Sequence, residues 1–520
     1  MLPHSLRKGR LGSRKSTNGC ITCKIRKVKC DEQRPFCQRC RSTGRQCDGY
    51  QGGVTLLHTT SPRQVNTICN PDLYGDSDPL EIQSFEFFIR RVLPGFTRIL
   101  DDHFWHQTIP QLSRIEPLVW NAVIAMSSLI RYPQYSTAPV LPGSTKTPVT
   151  DGNHRKALIW YGKSIAGVKE RIKSEKTWSS LALITCILYT SIECLQDNIV
   201  EAYTLYQRAV GMAGLVTTEY CGYSSTTLSE RSLEDRIRVL LRHETMSHGL
   251  LVPRPKLTLD SAAGRFDSLS DAREELYALV TETQAFVQHV NAKKNAYGKE
   301  WIAPSDIVTQ QEDLQTNLLR WHSAFSNTTA SPGAVSGPND GELSSVLLLA
   351  YGQYFIWLSA CLSTFETAYD QFFQHFQLMI EHADHVIAAT RAEVRPVFVL
   401  ESRVIASLYF IAIKCRQPSI RRRAVVLLRN GPQVENIWKA EPMAVVAERT
   451  IGVEESGSEH GVYHAQALSS DLPPESSRVY RQEVVELKDN NGQLCSHLIL
   501  NRWYQNDAFQ WSKAEHIVKI

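Results

Sequence analysis

Six cysteines stand within residues 20–47, at Cys20, Cys23, Cys30, Cys37, Cys40 and Cys47. They are spaced C-x2-C-x6-C-x6-C-x2-C-x6-C, and the second three repeat the first at an offset of 17 residues. A C-x2-C pair delivers two sulfurs to one metal from a single turn of chain, and a third sulfur follows after one short helix. Each half therefore offers three thiolates, whereas zinc takes four ligands in a tetrahedron. Two zinc ions can be served by six sulfurs only if two sulfurs bridge both metals. The count and the repeat together point to a binuclear cluster with two-fold pseudosymmetry.

Other uses of the same residues fit less well. Three disulfides would suit a small secreted scaffold. However, the N-terminal stretch MLPHSLRKGRLGSRKSTNG lacks the apolar core of a secretory signal, and seven further cysteines (Cys69, Cys186, Cys194, Cys221, Cys361, Cys415, Cys495) are scattered along the chain. An iron–sulfur cluster uses four cysteines and would leave two unemployed. A zinc store, a metal sensor or a zinc-built protein-interaction module would use similar ligands, but none of these requires the positive charge that surrounds them here.

That charge is concentrated. Residues 1–50 hold 13 Lys and Arg against Asp31, Glu32 and Asp48, a balance of +10, while the remaining 44 basic and 50 acidic residues leave the rest at −6. A basic module on a mildly acidic body is the electrostatic footprint of a polyanion binder. Two zinc ions and six thiolates together carry −2, so the segment stays near +8 when metallated. Lys24, Arg26, Lys27 and Lys29 crowd the first half between its second and third cysteines, and the matching stretch of the second half holds only Arg41 and Arg45. The first half is the one expected to face DNA, its short helix entering a major groove with lysines on phosphates and a base edge.

These residues resemble the fungal binuclear zinc-cluster (Zn2Cys6, C6-type) DNA-binding domain, whose cysteine pattern CITCKIRKVKCDEQRPFCQRCRSTGRQC fits without gaps. The resemblance implies that the first and fourth cysteines, Cys20 and Cys37, bridge two zinc ions. It also implies that Lys27 reads a base, that Lys24 and Lys29 contact phosphate, and that Pro35 is the loop proline. It further implies a CGG-type site on double-stranded DNA, control of genes transcribed by RNA polymerase II, a nuclear location, and contacts with transcription machinery or co-regulators. A weaker likeness to the helical regulatory domain of such factors extends over FWHQTIPQLSRIEPLVWNAVIAMSSLI, LALITCILYTSIECLQDNIVEAYTLYQRAV and KCRQPSIRRRAVVLLRN. That domain implies a small-molecule effector and a metabolic or secondary-metabolite gene set. No coiled coil follows the module as in dimeric members, so dimerisation and half-site spacing stay open.

The elements that must carry this module follow from composition and periodicity. The chain of 520 residues exceeds what one core usually organises. It divides into a basic tail at 1–19, the zinc module at 20–47, a linker at 48–79 rich in Gly, Pro, Ser, Thr and Asn, and a body at 80–520. The body is expected to be all-α, because no sustained period-two alternation is found. Phe85, Phe88, Ile89 and Val92 mark one helix and Pro117–Arg131 a second. Leu181, Ile184, Leu188, Ile192 and Leu195 share one face and Ala202, Tyr203, Tyr206, Val210 and Ala213 another, which describes a helical hairpin. Ser232 to Gly249 frames a further helix, and more are expected near 265–295, 308–325, 343–390 and 396–415. Breaks at 132–152, 326–341 and 452–478 are expected as surface loops, the last an acidic one with Glu454, Glu455 and Glu459. Val346–Phe365 carries no charge over 20 residues, long enough to span a membrane, but Gly352, Gln353, Ser359 and Ser363 dilute it and a buried core helix is expected instead.

Three motifs do not survive inspection. His243 and His248 sit five residues apart, about 140° around a helix, and cannot share the zinc face of an H-E-x-x-H site. Gly162-Lys163-Ser164 lacks the P-loop glycine, since Ala157 occupies its position. Asn327-Thr328-Thr329 is a sequon of no use to an intracellular protein. With no catalytic constellation in view, a regulator rather than an enzyme is expected.

Overall fold

The computed structural model divides the chain into two compact units, Met1–Cys69 and Asn70–Ile520. Within the first it describes residues 20, 22–23, 26, 28–33, 37–43 and 47. Within the second it describes 78–96, 104–132, 151–173, 179–196, 198, 201–202, 204–209, 264–330, 339–391, 398–399, 402–456, 472–488, 494–506, 508 and 510–520. The expected helix from Ser232 to Gly249, His243 and His248 lie outside these residues. The described core of the first unit is the six cysteines, with Val28 packed against them.

The body is helical. Helix α1 (Pro79–Phe87) opens with Asp78 accepting the Leu80 N–H at 2.9 Å and runs on as a π-helical turn, Phe88–Val92. Helix α2 (Ile109–Ile115) leads into α3 (Pro117–Arg131), which starts on the proline as the sequence suggests. Helix α3 buries almost every side chain, so it forms the axis around which α1, α4 (Gly152–Lys173) and α5 (Ser179–Leu195) pack. Glu81 of α1 accepts the indole N–H groups of Trp120 on α3 and Trp160 on α4, at 3.2 and 2.9 Å, which ties three helices to one carboxylate. The stretch Gly162-Lys163-Ser164 lies inside α4. There Ser164 donates to the Leu118 carbonyl at 2.6 Å and Lys163 faces Glu81 at 3.7 Å, an arrangement unrelated to phosphate binding.

Helices α6 (Leu269–Tyr297), α7 (Ser305–Ala330) and α8 (Asp340–Ala360) build a second core around Trp321, whose indole donates to the Ala272 carbonyl at 2.7 Å. Ser268 starts α6, accepting the Asp271 N–H at 3.1 Å and donating to its carboxylate at 2.7 Å. A third core joins α8 to α9 (Phe373–Arg391), α10 (Ile405–Lys414), α11 (Pro418–Asn430) and α12 (Ala440–Glu455). Helix α8 is long and apolar enough to cross a membrane by length and composition. Its faces are instead shared between two cores, Leu347 and Leu358 entering one and Leu349 and Ile356 the other. Gly352 permits the close approach of α9, since a Cβ there would stand 2.8 Å from Met379 Cγ.

Among the described residues, two small sheets complete the body. Strands β1 (Phe398–Val399), β2 (Val434–Glu435) and β3 (Trp438–Lys439) make a short mixed sheet. Its Glu435 accepts the N–H groups of Arg403, Val404 and Ile405, each at 2.9 Å, and so caps α10. Strands β4 (Val479–Lys488), β5 (Leu494–Gln505) and β6 (Trp511–Lys519) form an antiparallel meander, whose Val479, Leu498 and Leu500 pack with Val446 of α12. The chain remains dominated by helix, but this meander departs from the expectation of an all-helical body to residue 520. The reason is local: Ile499 lies between the buried Leu498 and Leu500, so the segment reads as an apolar run rather than an alternation. The expected breaks also shrink. Helix α7 continues to Ala330, and α12 continues to Glu455, so Glu454 and Glu455 belong to a helix rather than an acidic loop.

Glu454 is in fact the buried hub that joins the meander to the helices. It accepts Arg416 at 3.0 Å, Arg421 at 2.6 Å and the Val479 N–H at 2.9 Å, and all three charged side chains are fully buried. Arg416 also reaches Glu366 at 3.0 Å. Burial alone would raise the Glu454 pKa, but the two guanidinium groups outweigh it and hold the carboxyl at about 2. A folded-state pKa below the ordinary carboxylate value contributes stability above the latter. That contribution is lost as pH falls toward 2, over a window below about pH 4.5. Glu454→Gln leaves two buried cations without their shared partner and is expected to destabilise the fold by about 3–5 kcal/mol. Urea unfolding near pH 7 measures this, and the difference from the parent chain should narrow as the pH is lowered through that window.

Candidate metal centre and nucleic-acid interface

The first unit is built from two copies of one backbone device. The Cys20 N–H points at the Cys30 sulfur at 3.4 Å, and the Cys37 N–H at the Cys47 sulfur at 3.4 Å. The Cys23 N–H points at the Cys20 sulfur at 3.3 Å, and the Cys40 N–H at the Cys37 sulfur at 3.3 Å. Both pairs are related by the 17-residue offset of the sequence. Backbone N–H groups aimed at sulfur stabilise a thiolate and orient its lone pairs, as outer-shell donors do in metal sites. In the first half Thr22 and Cys23 start a helical turn, with Arg26 N–H on the Thr22 carbonyl and Val28 N–H on that of Cys23. In the second half the turn is Gln38–Arg41.

The six sulfurs sort into two quartets, Cys20, Cys23, Cys30, Cys37 and Cys20, Cys37, Cys40, Cys47, each with its sulfurs within 4.8 Å of one another. Cys20 and Cys37 belong to both. Four sulfurs about 2.3 Å from a tetrahedral zinc lie about 3.8 Å apart. The approaches found are 3.5 Å for Cys20–Cys37, 3.9 Å for Cys20–Cys40 and 3.7 Å for Cys23–Cys37. These are far longer than the ~2.05 Å of a disulfide, and all six are free thiols. Burial pushes the Cys20 thiol up to about 12 and raises those of Cys23 and Cys37 as well. Thiolates in this cluster therefore need a cation, and a coordinated metal ion removes such protons outright. The residues present fit two zinc ions.

Two polar residues that the sequence reading passed over hold the halves together. The Asp31 carboxylate accepts the N–H groups of Gln38 at 2.8 Å and Arg39 at 3.0 Å, bridging the first half to the start of the second helix. The Arg39 bond leads those holding its pKa below the usual value. Its signal was present in the repeat, since Asp31 and Asp48 each follow the third cysteine of a half. Thr43 accepts the Arg26 guanidinium at 3.2 Å and stands 17 residues after it, so the contact crosses the pseudo-two-fold axis. Of the residues expected at DNA, Arg26 thus braces the module and Lys29 is exposed. Lys24, Lys27 and Pro35 lie outside the described residues.

Residues 18–53 match the fungal Zn(2)-Cys(6) binuclear cluster domain. A transcription regulator of Emericella nidulans specific to the aspercryptin biosynthesis cluster, atnN, is 75% identical over 50 residues, 10% of this chain and 8% of that protein. The transcriptional regulatory protein moc3 of Schizosaccharomyces pombe is 51% identical over 56 residues, 10% of this chain and 11% of its own. The transcription regulator lscL of Purpureocillium lilacinum is 24% identical over a longer stretch of 193 residues, 34% of this chain and 44% of its own. The chain thus covers less than half the length of each of these relatives. The shared domain carries a binuclear zinc cluster, and the geometry above fits it.

The sharing of sulfurs has a measurable consequence. The purified chain should carry two zinc ions, counted by elemental analysis. Cys20→Ser or Cys37→Ser, each touching both quartets, should release both ions to a chromophoric chelator. Cys47→Ser, which touches one, should retain about one.

Proposed function

We infer that this chain, whose residues 18–53 are a fungal Zn(2)-Cys(6) binuclear cluster domain, is a zinc-dependent, sequence-specific transcription regulator. The observation that carries the inference is a pair of sulfur quartets sharing Cys20 and Cys37 inside a segment of charge +10. The zinc ions, when bound, supply folding free energy and Lewis-acid charge that keeps all six thiols deprotonated. The chain's own residues do the reading. In this proposal the six cysteines fix the turn after Cys23, and Lys27 presents an ammonium to base edges in the major groove of a CGG-type site. Lys24 and Lys29 engage flanking phosphates, while Arg26, held on Thr43, sets the angle between the halves and adds positive potential.

The division of the chain proposed above, a basic tail at 1–19, the cluster at 20–47, a linker at 48–79 and a regulatory body beyond, gives the second unit the task of controlling the first. Its partners are transcription machinery or co-regulators and a small-molecule effector, and its location the nucleus. The name of the Emericella relative assigns that protein to a biosynthetic gene cluster, and the same kind of target, a metabolic or biosynthetic gene set, is the one proposed here.

Base and phosphate contacts differ in what they respond to. Lys24→Ala and Lys29→Ala should weaken binding to every duplex alike and flatten the slope of log K against log salt by about one each. Lys27→Ala should cost roughly 1–3 kcal/mol on the cognate duplex and far less on a scrambled one. Fluorescence-anisotropy titrations of the zinc-loaded chain at several salt concentrations separate the two. Equal loss on both duplexes for Lys27→Ala would remove its base-reading role.

A further inference from the structure

A cavity of about 170 Å³ opens where the end of α6, the segment after α8, the end of α10 and the C-terminal meander meet. Four cations line it, Lys294, Lys299, Lys414 and Arg481, and one carboxylate, Glu366. Most of that charge is already matched. Lys414 gives both of its 2.9 Å bonds to Glu366, which Arg416 also engages. Lys299 is bonded to Glu475 and to the Thr364 carbonyl, and Arg481 pairs with Glu483 at 2.5 Å. Lys294 differs: its ammonium donates to the Cys361 carbonyl at 3.0 Å, and no described carboxylate lies within ion-pair distance of it. Burial lowers its proton affinity, Glu366 works the other way, and the like charges of Lys414 and Lys299 lower it further. The cavity therefore holds an excess of positive charge that a bound anion would balance.

The other walls are flat and aromatic. Tyr480 and Trp503 stack at 5.6 Å between ring centroids, and Trp357 of α8 also lines the cavity. Gly298 has φ +68°, and a Cβ there would stand 3.2 Å from Trp503 Cη2, so glycine is what lets α6 end beneath that indole. A ligand in this cavity touches helices from two cores and the meander at once, next to the Arg416–Glu454 hub that joins them.

We propose that this cavity is the effector site of the regulatory body and that it takes a small di- or tricarboxylate metabolite. One carboxylate sits on Lys294 and a second reaches toward Arg481, with the carbon skeleton against Trp503. The volume suits a few carbons and their oxygens. The proposal rests on the reading of residues 80–520 as regulatory, but its test does not involve DNA, so failure here leaves the zinc module's reading of DNA untouched.

The test uses the zinc-loaded full chain, with thermal unfolding and isothermal titration in malonate, succinate, citrate and inorganic phosphate, each against chloride at matched ionic strength. At least one carboxylate should bind and raise the unfolding midpoint beyond the chloride control. Lys294→Gln keeps a donor for the Cys361 carbonyl and removes the charge, and should weaken that binding roughly tenfold or more. Arg481→Gln, at a half-exposed side chain, should weaken it in the same direction without disturbing the fold. The proposal is overturned if no carboxylate exceeds chloride, if phosphate alone binds, or if both variants bind as the parent does.

Discussion

Three sulfurs per half and four per metal is the constraint from which the first unit follows. Neither half can complete a tetrahedron alone, so the halves must share ligands, and sharing fixes their separation and mutual orientation. Cys20 and Cys37 are the shared pair in this geometry, standing at equivalent positions of the 17-residue repeat. Once they are common to both quartets, the matching N–H···S contacts on Cys30 and Cys47 follow by pseudosymmetry. A described core of six cysteines and one valine buries too little apolar surface to hold this arrangement without metal. Bound zinc would take the place that a hydrophobic core has in a larger domain, and its charge would offset most of that on six thiolates.

The body solves a different problem with ordinary packing and one costly device. Among its described residues, three helical cores share α8 between two of them and use Glu81 and Glu435 to tie neighbouring elements through N–H groups. Among the described residues of the meander, the buried apolar side chains are Val479, Leu498 and Leu500. What locates it is Glu454, bound by Arg416 and Arg421 from the segment around α11 and by the first N–H of β4. A buried ion pair is weak as a source of net stability, because desolvation offsets most of its attraction, but breaking it is expensive. It therefore acts as a register pin, and the bidentate Arg478–Asp370 pair beside it, at 2.7 and 2.8 Å, has the same character.

What the sequence discloses depends on how far apart the cooperating residues lie. The cysteine cluster is legible because all its ligands fall within 28 residues and their spacing is itself the geometry. Helix α3 is legible to the residue because Pro117 marks its start and an apolar run fills it. The Glu454 hub is invisible at that level: its partners are 33 and 38 residues away, and an acidic pair before a Gly- and Ser-containing stretch reads as a solvated loop. The stretch 343–390 reads as helical, but its division into α8 and α9 is set by packing around Tyr369 and Phe372 in the intervening turn. Within the module, Arg26 looks like any other charge in a basic run, and only the fold brings it to Thr43 across the pseudo-axis.

The separation of charge along the chain bears on how such a protein finds its site. Non-specific attraction to DNA scales with the number of phosphates neutralised and is the part most sensitive to salt. Under the proposed reading, confining the basic excess to residues 1–50, with a remainder at −6, would confine that term to the N-terminal segment and leave the acidic body unattracted to the duplex. If Lys27 reads a base as proposed, discrimination rests on how rigidly it is presented, since a mobile lysine gains little from a correct base over a wrong one. The Asp31 bonds to Gln38 and Arg39 and the Arg26–Thr43 brace supply that rigidity from outside the metal shell. On the proposed function, specificity in so small a module would be a property of the sulfur cluster and its two polar braces acting together, and loosening a brace should erode discrimination before it erodes metal binding.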